Sequence, residues 1–479
     1  MKNYEVIIIG GGVAGLYAAL ALPPHIQTAV LTKYSFEECN SNLAQGGIAG
    51  VWDSPEDSIL SHKKDTLNAG GNTNRINAVD VLVREAHNDL ANLVNLGVDF
   101  DKVDNDYHRT LEGGHSHRRI FHRKDYTGKE ILSKLFIAVS KRSNITVFEN
   151  EIVLGIKKND LNFSVLTANN TFNAHFLIMA TGGIGRCYKY STNASAATGD
   201  GIAFAYELGA NIKNISKIQF HPTAFKCEQK NRRLLISEAV RGEGAYLLNS
   251  KGERFMSEYD LRLELAPRDV VSKAMYQEGC DTFYIDITHK PKTEIISHFP
   301  NIYNELLKYG FDMSVDKIPV YPCQHYLMGG IDVDINANTS VENLYAVGEC
   351  SHTGLHGNNR LASNSLMEAC VFSRLAAADI AVKITKKDFL TCDFDITQTP
   401  PEIPEDLMDT VQDILQKTFF IEPNFDILEE NLKKLNDIRT KYFSREYYEE
   451  HYMIKKSITI VSYLILEELW SYHNNILTT

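Results

Sequence analysis

Tyr4-Glu5-Val6-Ile7-Ile8-Ile9-Gly10-Gly11-Gly12-Val13-Ala14-Gly15 is the stretch that decides the fold. Its first half is a β-branched apolar run, as a buried strand requires, and its second half is a glycine turn. Leu16 to Leu22 continues with helix formers until Pro23-Pro24 stops them, and Gln27 to Thr32 supplies a second apolar run. Strand, turn, helix and strand together take about 30 residues, the length of a Rossmann half, so the chain begins as doubly wound α/β. The spacing Gly10-x-Gly12-x-x-Gly15 puts glycine where backbone must approach a pyrophosphate and where the helix must pack closely on the strand. Gly10, Gly12, Val13, Ala14 and Gly15 are therefore the first candidate cofactor-binding residues, a plain packing turn being the alternative.

Working outward, the second strand ends in Thr32-Lys33, where an NAD site usually presents an acid to the ribose, so the pattern favours FAD. Three later segments pair glycine with hydrogen-bonding side chains. They are Asn42 to Ile48, Ala180-Thr181-Gly182-Gly183, and Gly348-Glu349 followed by Asn359 to Leu366. Singly each reads as a surface turn, but together they supply the several strand ends that an extended flavin cofactor needs.

Thr146–Phe148, 152–156 and 163–167 read as short strands of a small antiparallel insertion. The runs at 176–183 and 344–349 are again buried strands meeting glycine. Between 214 and 324 the pattern turns mixed. These features predict a discontinuous Rossmann-like FAD-binding domain (1–214 and 327–385), an inserted α+β capping domain (215–326) and, after a Pro-containing linker at 399–404, a C-terminal helical domain (386–479). A length of 479 residues fits two or three domains of roughly 100–200 residues each.

Composition narrows the function. With 44% hydrophobic and 23% charged residues the chain is neither disordered nor fibrous. The formal charge of −12 opposes nonspecific nucleic acid binding. The eight cysteines show no Cys-x-x-Cys spacing and read as reduced residues of a cytoplasmic protein. Val6 to Leu22 imitates a targeting segment, but Glu5 precedes it and four glycines interrupt it. No other apolar run approaches the ~20 residues of a membrane span. No membrane and no nucleic acid partner is expected.

The sets Ala44-Gln45-Gly46-Gly47, Glu112-Gly113-Gly114-His115-Ser116-His117-Arg118-Arg119, His221-Pro222-Thr223, Pro267-Arg268-Asp269 and His356-Gly357-Asn358-Asn359-Arg360 occur in one order along the chain. In these the sequence resembles the L-aspartate oxidases of the fumarate reductase and succinate dehydrogenase flavoprotein superfamily, over about residues 4 to 385. The resemblance implies FAD held by Gly12, Gly15, Lys33, the stretch Asn40, Ser41, Asn42, Leu43, Ala44, Gln45, Gly46 and Gly47, and by Asp200, Glu349, Ser365 and Leu366; Thr181, Gly182 and Asn364 join them as candidates. Membrane-complex relatives attach FAD through a histidine where this chain has Asn40, which implies noncovalent FAD here. Asn358 departs from the alanine common beside the substrate arginine.

A dicarboxylate needs cationic or hydrogen-bonding anchors at both ends, and Arg360, His221 and His325 are suitable, with Thr223 beside them. Each histidine alone could equally be structural. The resemblance makes Arg268 the residue at the reacting carbon that moves the proton in fumarate reduction; otherwise it is another carboxylate clamp. Glu112 matches the glutamate that binds the substrate ammonium, the one group that separates L-aspartate from succinate. The catalytic set is then Arg268, Glu112 and His221. His115, His117 and His122 imitate a metal cluster, but the interleaved Arg118, Arg119 and Arg123 would repel a cation, and no metal is expected. The implied activity is oxidation of L-aspartate to iminoaspartate. The electrons would go to oxygen or fumarate, within NAD biosynthesis, and quinolinate synthase would be a functional partner. A soluble fumarate reductase is the nearest rival, and a catalytically idle flavoprotein acting as a binding module is the reading from another class.

Overall fold

The computed structural model describes residues 1–53, 55–104, 106–227, 232–385 and 388–477, so the expected junction at 386 lies outside the described residues. Its centre is a seven-stranded sheet. Ile145–Phe148, Thr28–Leu31, Lys2–Ile9 and Thr171–Met179 run parallel side by side. The far edge of Thr171–Met179 is shared. Its first half pairs antiparallel with Phe163–Thr167, which carries Val153–Lys158, and its second half pairs parallel with Leu344–Ala346.

Thr146–Phe148 is therefore not part of the antiparallel insertion that the sequence predicts. It is the parallel edge strand beyond Thr28–Leu31, because helix Thr127–Ser140 crosses over and returns the chain there. A three-residue apolar run carries too little pattern to reveal its partner. The antiparallel hairpin is formed by the two later strands alone.

The first strand shows why the sheet is covered twice. Val6 and Ile8 join a core with helices Val13–Ala21, Ile76–Asn95, Thr127–Ser140 and Asn364–Lys383, while Ile7 and Ile9 face a second core. The strand period of two sends alternate residues to opposite faces, and a run apolar at every position must be buried on both. The second core is completed by the C-terminal helices Leu407–Thr418, Leu428–Phe443 and Glu450–Leu477, through residues such as Val461 and Ile465. Glu468 of the last helix accepts hydrogen bonds from the Ser216 backbone and hydroxyl at 2.8 and 2.6 Å. The Tyr-rich stretch before that helix packs too: the Tyr448 ring lies where a Cβ on Gly155 would be only 2.6 Å away.

A separate four-stranded sheet, in the order Ile218–Phe225, Ile318–Leu327, Phe283–Asp286 and Tyr246–Leu248, has its own apolar core. Helix Arg268–Glu278 packs on its first strand. Among the described residues no helix is long and apolar enough to cross a membrane.

Candidate active site

One cavity of about 420 Å³ runs from the opening glycine turn to a cluster of buried charges. At the turn, Gly10 has φ +121°, and a Cβ there would sit 2.0 Å from the Ala180 carbonyl oxygen. A Cβ on Gly15 would meet the Gly10 carbonyl oxygen at 1.9 Å. Gly15 is thus the residue that lets helix Val13–Ala21 close onto the strand, and it does not itself line the cavity. Gly12 caps that helix with no side chain, the first turn lines the cavity through Gly12, Val13 and Ala14, and Val13 N–H donates to Ser41 Oγ at 3.1 Å.

Gly10, Gly12, Val13, Ala14, Lys33, the whole stretch Asn40 to Gly47, Thr181, Gly182, Asp200, Glu349, Ser365 and Leu366 line this cavity. Lys33 Nζ donates to Asp200 at 2.7 Å and to Thr198 at 2.8 Å. Asn40 donates to Glu349 at 3.3 Å and accepts from Ala194 N–H at 2.8 Å. Burial pushes the Glu349 carboxyl up to about 7 against donors from Leu327 and Asn40. Gln45 Oε1 is buried at the wall without a partner, an acceptor waiting for a donor. A side-chain-free turn, a helix N-terminus at the cavity wall and this acceptor fit FAD. Asn364 departs from the set, since its side chain turns away to His62 and Thr66 at 2.9 and 3.1 Å.

At the other end stand Arg268 and Arg360, both buried. Gln219 spaces them, its Oε1 accepting from Arg268 Nη1 at 3.0 Å and Arg360 Nη2 at 3.1 Å. Glu238 accepts from Arg268 Nε at 2.6 Å. Burial pulls Glu238 upward, but Arg268 and Arg241 outweigh it and hold the carboxylate below its usual range. The Arg360 guanidinium lies 4.3 Å over the Tyr326 ring and donates to Ser365 at 3.0 Å. Burial, then the charge of Arg268, lowers Arg360 to about 10. Both arginines line the cavity, and two guanidinium groups held close favour an anion bound between them.

Glu112 enters from another loop. Its Oε2 accepts from Ser363 Oγ at 2.6 Å, and a Cβ on Gly46 would lie 2.8 Å from Oε1. Burial, then the charge of Glu238, raises the Glu112 carboxyl above its ordinary value. His325 lines the cavity with Nδ1 bonded to Thr192 Oγ1 at 2.6 Å. His221 lies one layer behind it, ring centroids 5.0 Å apart, with Nδ1 accepting from Thr223 N–H at 3.2 Å and Nε2 unpartnered. Burial and then Arg268 keep both imidazoles neutral. Thr223 Oγ1 is spent on the Ile236 carbonyl at 2.9 Å, away from the cavity.

Geometry therefore brings Glu112, Arg268, His325 and Arg360 to one cavity, with His221 behind and Thr223 outside. Sequence reasoning missed Gln219 and Glu238. Gln219 carried a usable signal, because the strand period of two puts it on one face with His221. Glu238 carried none, since its pairing with Arg268 spans 30 residues. Of the histidines that imitate a metal cluster, His115 bonds the Ala362 carbonyl at 2.9 Å and His122 bonds His108 at 2.9 Å.

Residues 5–366 match the family described as FAD binding domain. The L-aspartate oxidase of Acinetobacter baylyi is 42% identical over 433 residues, covering 86% of this chain and 78% of the relative. That of Clostridium perfringens is 46% identical over 388 residues, 78% of this chain and 86% of the relative. Among solved structures, a chain of E. coli quinol fumarate reductase superposes with a TM-score of 0.88 at 27% identity, over 98% of this chain and 89% of that one. An open-conformation flavocytochrome c3 fumarate reductase gives 0.64 at 25% identity, over 80% and 78%.

Proposed function

The chain belongs to the L-aspartate oxidases, FAD-dependent oxidoreductases, and we propose that its buried charge cluster carries out the oxidation of L-aspartate to iminoaspartate as follows. Arg360 and Arg268 clamp the two carboxylates, and the neutral His325, backed by His221, donates to one of them. Gln219 holds the guanidinium groups at a fixed spacing, so the substrate is oriented before reaction and little freedom is left to lose. Glu112 attracts the α-ammonium and, ionised, takes a proton from it directly or through water. The free amine then releases hydride from Cα more readily. FAD, when bound, would supply the acceptor for those two electrons, with oxygen, giving hydrogen peroxide, or fumarate, giving succinate, as the final acceptor. In that second half-reaction Arg268, paired with Glu238, faces the developing negative charge and sits where a proton must be delivered.

The observation that carries this reading is the free Glu112 oxygen opposite two arginines in one cavity. Asn40 offers an amide already bonded on both sides, which supports noncovalent FAD. The three-part division at 1–214 with 327–385, 215–326 and 386–479 belongs to the same proposal, with the inserted part bringing His221, Arg268 and His325 over the flavin part. So do a cytoplasmic setting and the transfer of unstable iminoaspartate to quinolinate synthase in NAD biosynthesis. The test is anaerobic addition of L-aspartate to the purified yellow protein, followed at the flavin absorbance band. Bleaching by aspartate is expected. Bleaching by succinate and not by aspartate would transfer the reading to a fumarate reductase.

A further inference from the structure

Glu112 and His115 are the first and last residues of one turn. His115 N–H donates to the Glu112 carbonyl at 3.1 Å, and Gly114 takes the positive φ, +84°, that the turn needs. Both ends of the turn are tied to adjacent residues across the site. Ser363 Oγ donates to Glu112 Oε2, and the His115 ring, at Nε2, bonds the Ala362 carbonyl at 2.9 Å. Ser363 itself sits at φ +62°, a conformation a non-glycine residue holds only when its surroundings impose it.

The tautomer of His115 is determined by Arg119. Arg119 is fully buried and ionised between Asp57, at 2.9 and 2.8 Å, and Asp65 at 2.5 Å. Its Nη1 also donates to His115 Nδ1 at 3.1 Å. With Nδ1 accepting, Nε2 must carry the hydrogen, which is the state that bonds Ala362. Burial holds His115 at about 4, so the ring stays neutral and the bond persists at physiological pH. The groups facing it are Arg119, Asp65, Glu238 and, 6.1 Å away centroid to centroid, His62, itself neutral at about 3 through burial.

The consequence reaches the substrate. With Oε2 occupied by Ser363, Glu112 presents only Oε1, on the side where Gly46 has no side chain. We infer that His115 is a positioning residue for substrate choice: clamped between Arg119 and Ala362, it fixes the turn that aims the one free oxygen of Glu112 at the substrate nitrogen. This rests on the reading of Glu112 given above. It adds a residue that touches neither substrate nor cofactor and predicts a selective defect.

His115→Asn keeps an acceptor for Arg119 but is too short to reach Ala362, whereas His115→Gln can reach both. Kinetics of aspartate oxidation and of fumarate reduction with a reduced dye are measured on each FAD-loaded variant, beside melting temperature and FAD affinity. His115→Asn is expected to raise KM for aspartate about tenfold with a smaller change in kcat, and to leave fumarate reduction within about twofold. His115→Gln is expected to recover most of the loss. An unchanged asparagine variant, an equal loss of both reactions, or a glutamine variant as impaired as asparagine would each overturn the inference. The underlying reading fails separately, if Glu112→Gln leaves aspartate turnover intact.

Discussion

The two ends of the cavity are built in opposite ways. The cofactor end is shaped by backbone: Gly10, Gly12 and Gly15 act by having no side chain, and the first helix begins at the cavity wall with no side-chain cap from Gly12. The substrate end is shaped by long charged side chains that neutralise and space one another, with Glu238, Gln219, Arg268 and Arg360 all buried. Backbone shape fails by steric exclusion, all at once, whereas a charge network loses one partner at a time. The two ends should therefore break differently.

The largest effect belongs to the backbone end. In Gly15→Val the new Cβ would meet a carbonyl oxygen at 1.9 Å, and neither the strand nor the helix has room to retreat. The expected outcome is colourless protein that takes up no flavin, checked by the absorbance spectrum after reconstitution with FAD. A yellow, active Gly15→Val would erase the contrast between the ends.

That difference also explains what was legible. The glycine turn could be read because its requirement is local: four glycines within six residues, after a strand and before a helix. The unbroken apolar run Val6 to Ile9 likewise announced a buried strand of a doubly wound fold. At the substrate end, Ser363 and Glu112 are 251 residues apart and Arg360 and Gln219 are 141 apart, and no local pattern encodes such pairings. Only family resemblance brought Glu112, Arg268 and Arg360 together, and it did not reach Gln219 or Glu238. Thr223, beside His221, and Asn364, inside the segment 359–366, were grouped with the site because a sequence locates positions and not side-chain directions. The edge strand at 145–148 was assigned to the wrong pairing for the related reason that strand neighbours are a tertiary property.

Second in size is Arg268→Met. It leaves Glu238 buried with its charge uncompensated on that side and removes a carboxylate clamp, so both aspartate oxidation and fumarate reduction should fall by about 10³-fold, with flavin retained. Steady-state kinetics on yellow protein check it. A loss confined to one reaction would show that Arg268 is not shared between the two half-reactions.

Glu112→Gln sharpens the comparison within the substrate end. A charge-assisted bond to the ammonium is replaced by a neutral one, worth about 1.5–3 kcal/mol, so kcat/KM for aspartate should drop by about 10–100-fold, with fumarate reduction affected much less. The pH dependence has a definite sign. Burial and Glu238 raise the Glu112 pKa, and the carboxylate that attracts the ammonium is lost as pH falls through that raised value. In wild type, kcat/KM for aspartate should decline on the acid side at a pH above the usual glutamate range. Glu112→Gln should flatten that limb, as a pH series on both proteins would show.

The smallest effect is the most pointed. Asn358 stands beside Asn359 and Arg360, where the family resemblance leads one to expect alanine, so its own contacts decide whether it bears on the proposed substrate clamp. Its side chain is exposed, and its backbone N–H reaches the Gly70 carbonyl at 3.0 Å, a bond any residue but proline makes. The neighbouring Asn359, by contrast, is buried and bonded to both Gln219 and Asp269, each at 2.6 Å. Asn358→Ala should therefore change kcat/KM by less than about twofold and stability by under about 0.5 kcal/mol, as surface substitutions away from special features do. Asn359→Ala, one position along, should loosen Gln219 and with it both arginines. If the two alanine variants behave alike in parallel kinetic assays, then loop shape governs the clamp and the buried side-chain network does not.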